Sequence, residues 1–380
     1  MWSKAYRSVA VVVLTSGILA AQDQSIPQSA VKVDLGSNSP LSMVNAATAD
    51  SRATARGAAL VLDLHMSLML RNGSPKRVHG VTLRVVAQEA TLGGKASVTY
   101  PTLNVGPGDN FPVRIDMQLM KPSQMVGGPL VQVDLDGVLF QDLTFFGPDR
   151  LNSRRALTAC EMQARRDRDY FKRVFAQHGR DGLQREMLES LNRQAGAGQL
   201  TVAVSRSGRA VTSAALPERT AKFAFLQFPD SPIEPVQGAA LIAGNEARAP
   251  HIEVRNKSDR AVKYVEMGWV VTDSAGKYYM AGSLPSADND MALAPGGTTP
   301  LLHNTTLNFT AKGQPVAVRD MIGFVNQVEF ADGKIWVPNR ENLANASLLK
   351  VLPPSPEEQR LSDIYRRQGI EGLISELNRF

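Results

Sequence analysis

The second half of this 380-residue chain repeats the first, and the repeat constrains the fold more than any other feature of the sequence. Arg71–Ser74 (RNGS) recurs 184 residues later as Arg255–Ser258 (RNKS). At an offset of 190, the matches are Val138–Phe140 with Val328–Phe330, Pro148 with Pro338, and Gly179 with Gly369. Solenoid repeats have periods of roughly 20–50 residues. The sequence therefore predicts two copies of one larger structural unit.

Within each copy, apolar and polar residues alternate in short runs that are bounded by turn residues. Leu64, Met66 and Leu68 alternate ahead of the Asn72-Gly73 turn, and Val265, Met267 and Trp269 do so in the second copy. Such alternation is typical of strands with one buried face. Six or seven such strands over about 110 residues favour an antiparallel β-sandwich.

The order of these features resembles the immunoglobulin-like and fibronectin-III-like sandwiches of bacterial exported proteins. It consists of a strand, an Asn-x-Ser turn at Asn72 or Asn256, a second strand with a core aromatic at Trp269, and a Pro-Gly turn. The resemblance implies tandem β-sandwich modules. Because Cys160 is the only cysteine, it is restricted to relatives without a disulfide between the sheets.

Each predicted sandwich is followed by two helical segments. Apolar residues recur at helical spacing over 154–177 and 181–193, with Gly179 at the break. In the second copy, Ser355 and Pro356 form a helix start signal and Gly369 marks the break. Glycine at a break tolerates the positive φ of a sharp reversal. The predicted fold class is mostly β with α, as two duplicated antiparallel sandwiches that each precede a helical hairpin.

These patterns predict the organisation of the whole chain. The predicted segments are a signal peptide (1–21), a first sandwich (22–148), a helical hairpin (149–194), a linker (195–219), a second sandwich (220–340) and a second hairpin (341–380). The run 200–204 within the linker is apolar enough to form a further strand, so we leave that alternative open.

The N-terminus has the features of a secretory signal. Lys4 and Arg7 precede the apolar run Val9–Leu14, and Ala20 and Ala21 are small residues at a plausible cleavage point. The apolar run is shorter than the roughly 20 residues that a membrane span needs. We therefore expect cleavage, a periplasmic or extracellular location, and no transmembrane span in the mature chain.

The sequence carries no motif that indicates catalysis, a cofactor or a bound metal. A single cysteine excludes an intramolecular disulfide and a four-cysteine zinc site. Neither a G-x-S-x-G elbow nor a phosphate-binding loop is present. We interpret Cys160 as a small buried apolar residue. A carboxylate pair among Asp134, Asp136 and Asp142, or at Asp288 and Asp290, stays open as an alternative.

One stretch is rich in basic residues and could contact an anionic partner. Its candidate residues are Arg154, Arg155, Arg165, Arg166, Arg168, Lys172 and Arg173. Glu161, Asp167 and Asp169 interleave with them, which favours a solvated helix face over an anion-binding surface.

The leading hypothesis is therefore an exported, non-catalytic interaction or structural protein of the cell envelope or of a secreted assembly. Its partner would be an unidentified protein or envelope component, not nucleic acid. Two alternatives remain. One is an exported enzyme or accessory module that acts on polysaccharide or peptide, and the other is an anionic-surface binder that uses the basic helix.

Overall fold

The computed structural model describes residues 23–48, 50–123, 128–196, 200–206, 218–285, 290–302 and 305–380. Strands make up 46% and helices 24%, which confirms the predicted mostly β class with helices. The predicted signal peptide lies outside the described residues. None of the described helices has an apolar stretch of the length needed to cross a membrane.

The chain divides into two compact units. The first takes in the described residues up to Ser74, together with Leu83–Val98 and Gly108–Leu135. The second consists of Pro75–Thr82, Thr99–Pro107 and Asp136–Phe380. All the α-helices of the described residues belong to the second unit, so the helix contacts described below lie within one unit.

Ten strands of the described residues precede the first α-helix. They are β1 (Asp23–Ser25), β2 (Val31–Asp34), β3 (Leu41–Ala47), β4 (Arg52–Arg56), β5 (Ala59–Asn72), β6 (Val78–Val86), β7 (Lys95–Tyr100), β8 (Asn110–Pro122), β9 (Val131–Phe140) and β10 (Phe145–Phe146). Strand β5 pairs with β3 and β4 along one edge and with β8 along the other. In β5, Leu64 and Leu68 are fully buried, while His65 and Ser67 are exposed. This alternation places one face of the sheet against the core.

Twelve further strands follow in the described part of the chain. They are β11 (Thr201–Arg206), β12 (Arg219–Lys222), β13 (Ala224–Leu226), β14 (Ile233–Ala243), β15 (Glu246–Asn256), β16 (Val262–Asp273), β17 (Tyr278–Pro285), β18 (Thr298–Leu302), β19 (Thr305–Ala311), β20 (Gln314–Pro315), β21 (Val318–Phe330) and β22 (Ile335–Trp336). One sheet has the order β11-β19-β15-β14-β12, with β18 paired to β15. Strand β11 is the further strand that was left as an alternative for the run 200–204.

Two of the sheets share one strand order. The first has the order β10-β9-β6-β7, and β2 joins β9 in parallel. The second has the corresponding order β22-β21-β16-β17. In it, β13 joins β21 in parallel, as β2 joins β9. The pairing of Phe146 with Val138 recurs 190 residues later as Trp336 with Val328. The register therefore follows the sequence repeat at single-residue level.

The repeated Asn-x-Ser turns make the same hydrogen bonds. Asn72 Oδ1 accepts from the backbone N–H of Ser74 at 3.0 Å and from its hydroxyl at 2.8 Å. Asn256 Oδ1 accepts the corresponding bonds from Ser258 at 3.0 and 2.7 Å. Both asparagines are fully buried, and each side chain satisfies a backbone N–H and a hydroxyl group of its own turn.

The hairpins that lead out of β9 and β21 also carry matching ion pairs. Lys76 Nζ lies 2.7 Å from Asp142 Oδ2, and Arg260 pairs with Asp332 at the corresponding positions. Lys76 lies over the Phe140 ring, and Arg260 lies over the ring of Phe330.

The helices are α1 (Ser153–Gly196), α2 (Arg340–Asn345) and α3 (Pro356–Leu377). The predicted start signal of α3 is confirmed, since the Ser355 side chain accepts from the backbone N–H of Glu358. Helix α1 is interrupted at Gly179, with φ 64° and ψ −158°, and α3 at Gly369, with φ 69° and ψ −168°. Each break falls at the glycine that the sequence indicated.

The helices α1 and α3 share a small apolar core. Its buried members are Phe171, Leu183 and Met187 from α1 and Leu361, Leu373 and Leu377 from α3. Each α3 residue follows its α1 counterpart by 190 positions. The same three positions of the repeat thus supply both sides of this core.

Substitution of either break glycine by alanine should lower the free energy of unfolding by about 1–3 kcal/mol, because the backbone occupies a region that other residues rarely adopt. A Cβ at Gly179 or Gly369 would meet no atom within 4 Å, so backbone strain alone accounts for the loss. Urea unfolding followed by circular dichroism measures it, with exposed Gln184→Ala on α1 as the matched control. Equal stability of the Gly179→Ala and Gln184→Ala proteins would show that the helix break does not need glycine.

Candidate binding cleft beside the first helix

The basic residues of α1, for which an anionic partner was the alternative to a solvated face, divide into two groups. Arg155, Arg165 and Arg168 bind carboxylates of this same protein. Arg155 pairs with Glu329 and donates from Nη2 to Asp290 Oδ1 at 2.5 Å. These three guanidinium groups therefore do not form an open anion-binding surface.

Arg168 lies at the centre of a buried set of ion pairs between α1 and α3. Its Nη2 donates to Glu161 Oε1 at 2.8 Å, and its Nη1 donates to Glu357 Oε1 at 3.2 Å. The exposed side-chain fractions are 5% for Arg168, 1% for Glu161 and 0% for Glu357. Arg165 Nε also donates to Glu161 Oε1, at 2.9 Å. Water therefore contributes little screening to these interactions.

Arg340, at the start of α2, lies in a second buried set of ion pairs between the same helical segments. Its Nη1 lies 3.4 Å from Asp167 Oδ1 and 3.3 Å from Glu358 Oε2. The Ser355 hydroxyl donates to Asp167 Oδ2 at 2.6 Å, so the cap residue of α3 takes part as well. We call the two sets together the buried charge network. Its members are Glu161, Asp167, Arg168, Arg340, Glu357 and Glu358.

The surroundings of the network keep two of its carboxyl groups ionised. Burial acts to raise the pKa of Glu161, but contact with His79 and the charge of Arg168 outweigh it, so this pKa lies below its usual 4.5. Burial likewise opposes ionisation of Asp167, but the neighbouring Arg166 guanidinium holds its pKa below 3.8. The stabilisation from both groups is complete above these usual values. It is lost as the pH falls from there through the lowered pKa values.

The last residue of the chain packs against the network. The guanidinium of Arg168 lies over the Phe380 ring, 4.1 Å from its centre. The same ring meets the His79 ring edge-on, with centroids 5.9 Å apart. His79 Nδ1 is 3.1 Å from Glu161 Oε1, and both side chains are almost fully buried. Phe380 and the start of β6 therefore close two sides of the network.

Sequence analysis did not identify this network, although α1 carries a signal for it. Glu161 and Arg168 each follow an apolar residue of the buried stripe, Leu157 and Ala164, by four positions. They therefore share the face that packs inward. A pair of opposite charges within an apolar stripe indicates a buried ion pair. The sequence does not show that the partner is Glu357, 189 positions away from Arg168.

Three other basic residues of α1, Arg166, Lys172 and Arg173, line a cleft along α1 and α2, which we call the α1–α2 cleft. Its volume is about 630 Å³, and its lining residues are Arg166, Asp169, Lys172, Arg173, Asn339, Arg340 and Glu341. A pocket of about 230 Å³ adjoins it. Its additional lining residues are Tyr170, Val174, Gln177, Ala344 and Leu349. Cationic side chains thus border a partly apolar depression.

The cations of the cleft differ in how fully they are paired. Arg173 lies 3.9 Å from Glu341, and both side chains are more than half exposed, so this pair is weak. Lys172 has no ion pair with any described residue. Arg340 is 5% exposed, and its buried Nε has no hydrogen-bond partner in the described part of the chain. These groups leave the cleft with capacity to bind an anion.

The arrangement suits a carboxylate that is joined to an apolar group. A carboxylate would meet the cations Lys172, Arg173 and Arg340, which line the cleft. Burial and the nearby Glu186 raise the pKa of Tyr170 to about 12, so its hydroxyl stays neutral at physiological pH. The Tyr170 ring, with Arg340 4.2 Å over it, and Val174 form an apolar wall.

The other residues that the sequence singled out do not contribute side chains to the cleft. Arg154 and Pro148 are exposed, and neither lines the cleft. Trp269 is buried in the core of the second half. Pro338 is buried, and its carbonyl accepts a bond of 3.0 Å from Arg166, so this repeat position helps to hold one wall of the cleft.

Other candidates for chemistry have ordinary structural partners. Burial, together with the charge of Glu266, raises the pKa of Cys160 to about 11, which keeps it a thiol at neutral pH. Asp290 pairs with Arg155 and Lys263, whereas Asp288 lies outside the described residues. Among the described residues, no group of three or more histidine, cysteine or acidic side chains is arranged to hold a metal ion.

Comparisons with known proteins assign no family. No family model matches the chain, and no curated protein matches it. Among solved structures, pT26-6p is 9% identical, with 88% of this chain and 73% of that chain covered and a TM-score of 0.18. Red sea bream transglutaminase is 9% identical, with 79% and 31% covered and a TM-score of 0.13. Pumpkin seed globulin is 11% identical, with 84% and 94% covered and a TM-score of 0.10. These scores are too low to support an argument about fold or function.

Removal of the central cation should destabilise the protein strongly. Arg168→Met removes the guanidinium that Glu161 and Glu357 share, although Glu161 keeps Arg165 and Glu357 keeps Arg360. We expect a loss of about 1.5–3 kcal/mol in the free energy of unfolding, because hydrogen bonds to buried charged groups are lost. The matched control is Arg173→Met on the same helix, where the ion pair is exposed and the expected change is below about 1 kcal/mol. Urea unfolding measures both. Similar losses for the two proteins would show that burial of the network contributes nothing.

Proposed function

We propose that the protein is an exported, non-catalytic interaction protein that binds an acidic segment of a protein partner in the α1–α2 cleft. The observation that carries this proposal is the set of cations in the cleft. Lys172, Arg173 and Arg340 line it, and Lys172 has no ion pair with any described residue. The adjoining pocket offers space for an apolar side chain next to the bound carboxylate.

The buried charge network supports this assignment because it fixes one wall of the cleft. Asp167 and Glu358 hold the Arg340 guanidinium from behind, so it need not be ordered when a ligand arrives. Preorganised charge of this kind reduces the entropy cost of binding. Lys172 and Arg173 lie at the rim, where they would accelerate association with an acidic partner.

The architecture that we propose for this protein is a tandem duplication, in which each β-sandwich precedes a helical hairpin. The proposed segments are 22–148 with 149–194 and, after a linker, 220–340 with 341–380. The support is the shared strand order, the matching bonds of Asn72 and Asn256, and the paired break glycines Gly179 and Gly369. Export rests on the signal features of residues 1–21 in the sequence.

Binding of a defined acidic probe tests the proposed site. The probe is a fluorescein-labelled peptide with two glutamates on each side of a leucine, titrated by fluorescence polarisation. We expect saturable binding that weakens with salt, and an affinity at least about tenfold lower for the double variant Lys172→Glu with Arg173→Glu.

The matched control is the double variant Arg366→Glu with Arg367→Glu. It makes the same change of charge at exposed positions of α3 that do not line the cleft. Thermal melts establish that both variants fold. An equal loss of affinity in the two proteins would show that net charge, not the cleft, attracts the peptide. No saturable binding by the unmodified protein would overturn the proposal.

A further inference from the structure

Strand β8 lies at an edge of its sheet. Over 13 residues it pairs with β5 on one side, and within the described residues no strand pairs with its other side. Asn72 donates its backbone N–H to the Asp109 carbonyl, which shows that odd-numbered backbone groups face β5. Even-numbered groups consequently face the open edge. Met120 confirms this direction, since its N–H donates away from β5 to the Gly93 carbonyl at 2.9 Å.

Both ends of this edge are closed to further pairing. Pro112 has no N–H to offer at one end. At the other end, Gly93 already occupies the Met120 N–H, and Lys121 directs a buried side chain inward. Inward-pointing charges and prolines are devices that protect sheet edges. They leave a central window in which Asp116 and Gln118 direct N–H and C=O groups outward, and both residues are exposed.

The equivalent edge of the second half carries an additional strand. The pairing of Arg71 with Asn110 recurs as Arg255 with Thr298, so β8 corresponds to β18 and β19 at an offset of 188. Strand β11 covers β19 in antiparallel register, with Ser205 opposite Thr306. Thr306 is the counterpart of Gln118 at this offset. The chain itself therefore supplies a strand where β8 has none among the described residues.

Strand β11 shows what chemistry this kind of edge accepts. Its sequence alternates as Thr-Val-Ala-Val-Ser-Arg. Thr201 and Ala203 are exposed, while Val202 is partly buried and packs against the core of the second half. On β8, the inward residues Val113, Ile115 and Leu119 are buried and offer a comparable apolar border. An extended segment with small apolar residues at every second position fits such an edge.

We propose that the outer edge of β8, from Val113 to Leu119, accepts an extended segment of a partner protein as an added antiparallel strand. The segment carries small β-branched residues at alternate positions, as β11 does. Main-chain hydrogen bonds supply the affinity, and the alternating side chains supply the selectivity. The inference rests on the duplication proposed above and adds a second contact surface to that of the cleft.

The test uses the full chain and a synthetic peptide with the sequence of residues 200–206, Leu-Thr-Val-Ala-Val-Ser-Arg. Hydrogen–deuterium exchange is measured by mass spectrometry with and without the peptide. We expect slower exchange in the segment 113–119, where the outward amides of Asp116 and Gln118 gain acceptors. Slower exchange only in 305–310 would show that the peptide replaces β11 on β19, and no change in either segment would show that β8 does not accept a strand. Both results overturn the proposal.

Two variants at one position separate backbone from side-chain effects. Gln118→Pro removes an outward N–H without removing a bond to β5, and it should abolish the added protection. Gln118→Ala keeps the N–H and should preserve it. Loss of protection in both variants would assign recognition to the side chain and overturn strand addition. The double variant Lys172→Glu with Arg173→Glu should bind this peptide normally. A failure of the proposed cleft binding can therefore be distinguished from a failure of strand addition at β8.

Discussion

Arg168 lies between two buried carboxylates, Glu161 on its own helix and Glu357 on α3, and this shared guanidinium joins the helical segments of the two halves. Transfer of three charges out of water is costly, and the cost is offset only when every charge has close partners of opposite sign. Arg165 adds a further bond to Glu161, and the Phe380 ring covers Arg168. These contacts and the apolar core that the two helices share together hold α3 against α1.

The network also accounts for the way in which α1 divides its basic residues. Arg168 is used internally, whereas Lys172, one helical turn further on, lies in the cleft. Arg340 belongs to both, because its Nη1 pairs with Asp167 and Glu358 while its Nε lies buried beside the cleft without a partner in the described part of the chain. The structural role and the proposed binding role therefore meet in a single guanidinium group.

The sequence alone predicted those features that depend on local patterns. Alternation predicted a mostly β chain, Ser355 marked the start of α3, and Gly179 and Gly369 marked the breaks in the helices. Each depends on residues close together along the chain. The inward direction of Arg155 and Arg168 was not predicted, because their partners Glu329 and Glu357 lie 174 and 189 positions away. An arginine-rich helix has the same composition whether its charges face water or buried acids.

A double-mutant cycle tests the central claim that Arg168 couples α1 to α3. The free energy of unfolding in urea is measured for the unmodified protein, for Arg168→Met, for Glu357→Gln and for the double variant. The two changes should not be additive, with a coupling of about 1–3 kcal/mol, because each single substitution leaves a buried charge that the other one removes. Additive losses, within about 0.3–0.5 kcal/mol, would show that the two groups act independently and that the helices are held by their apolar core alone.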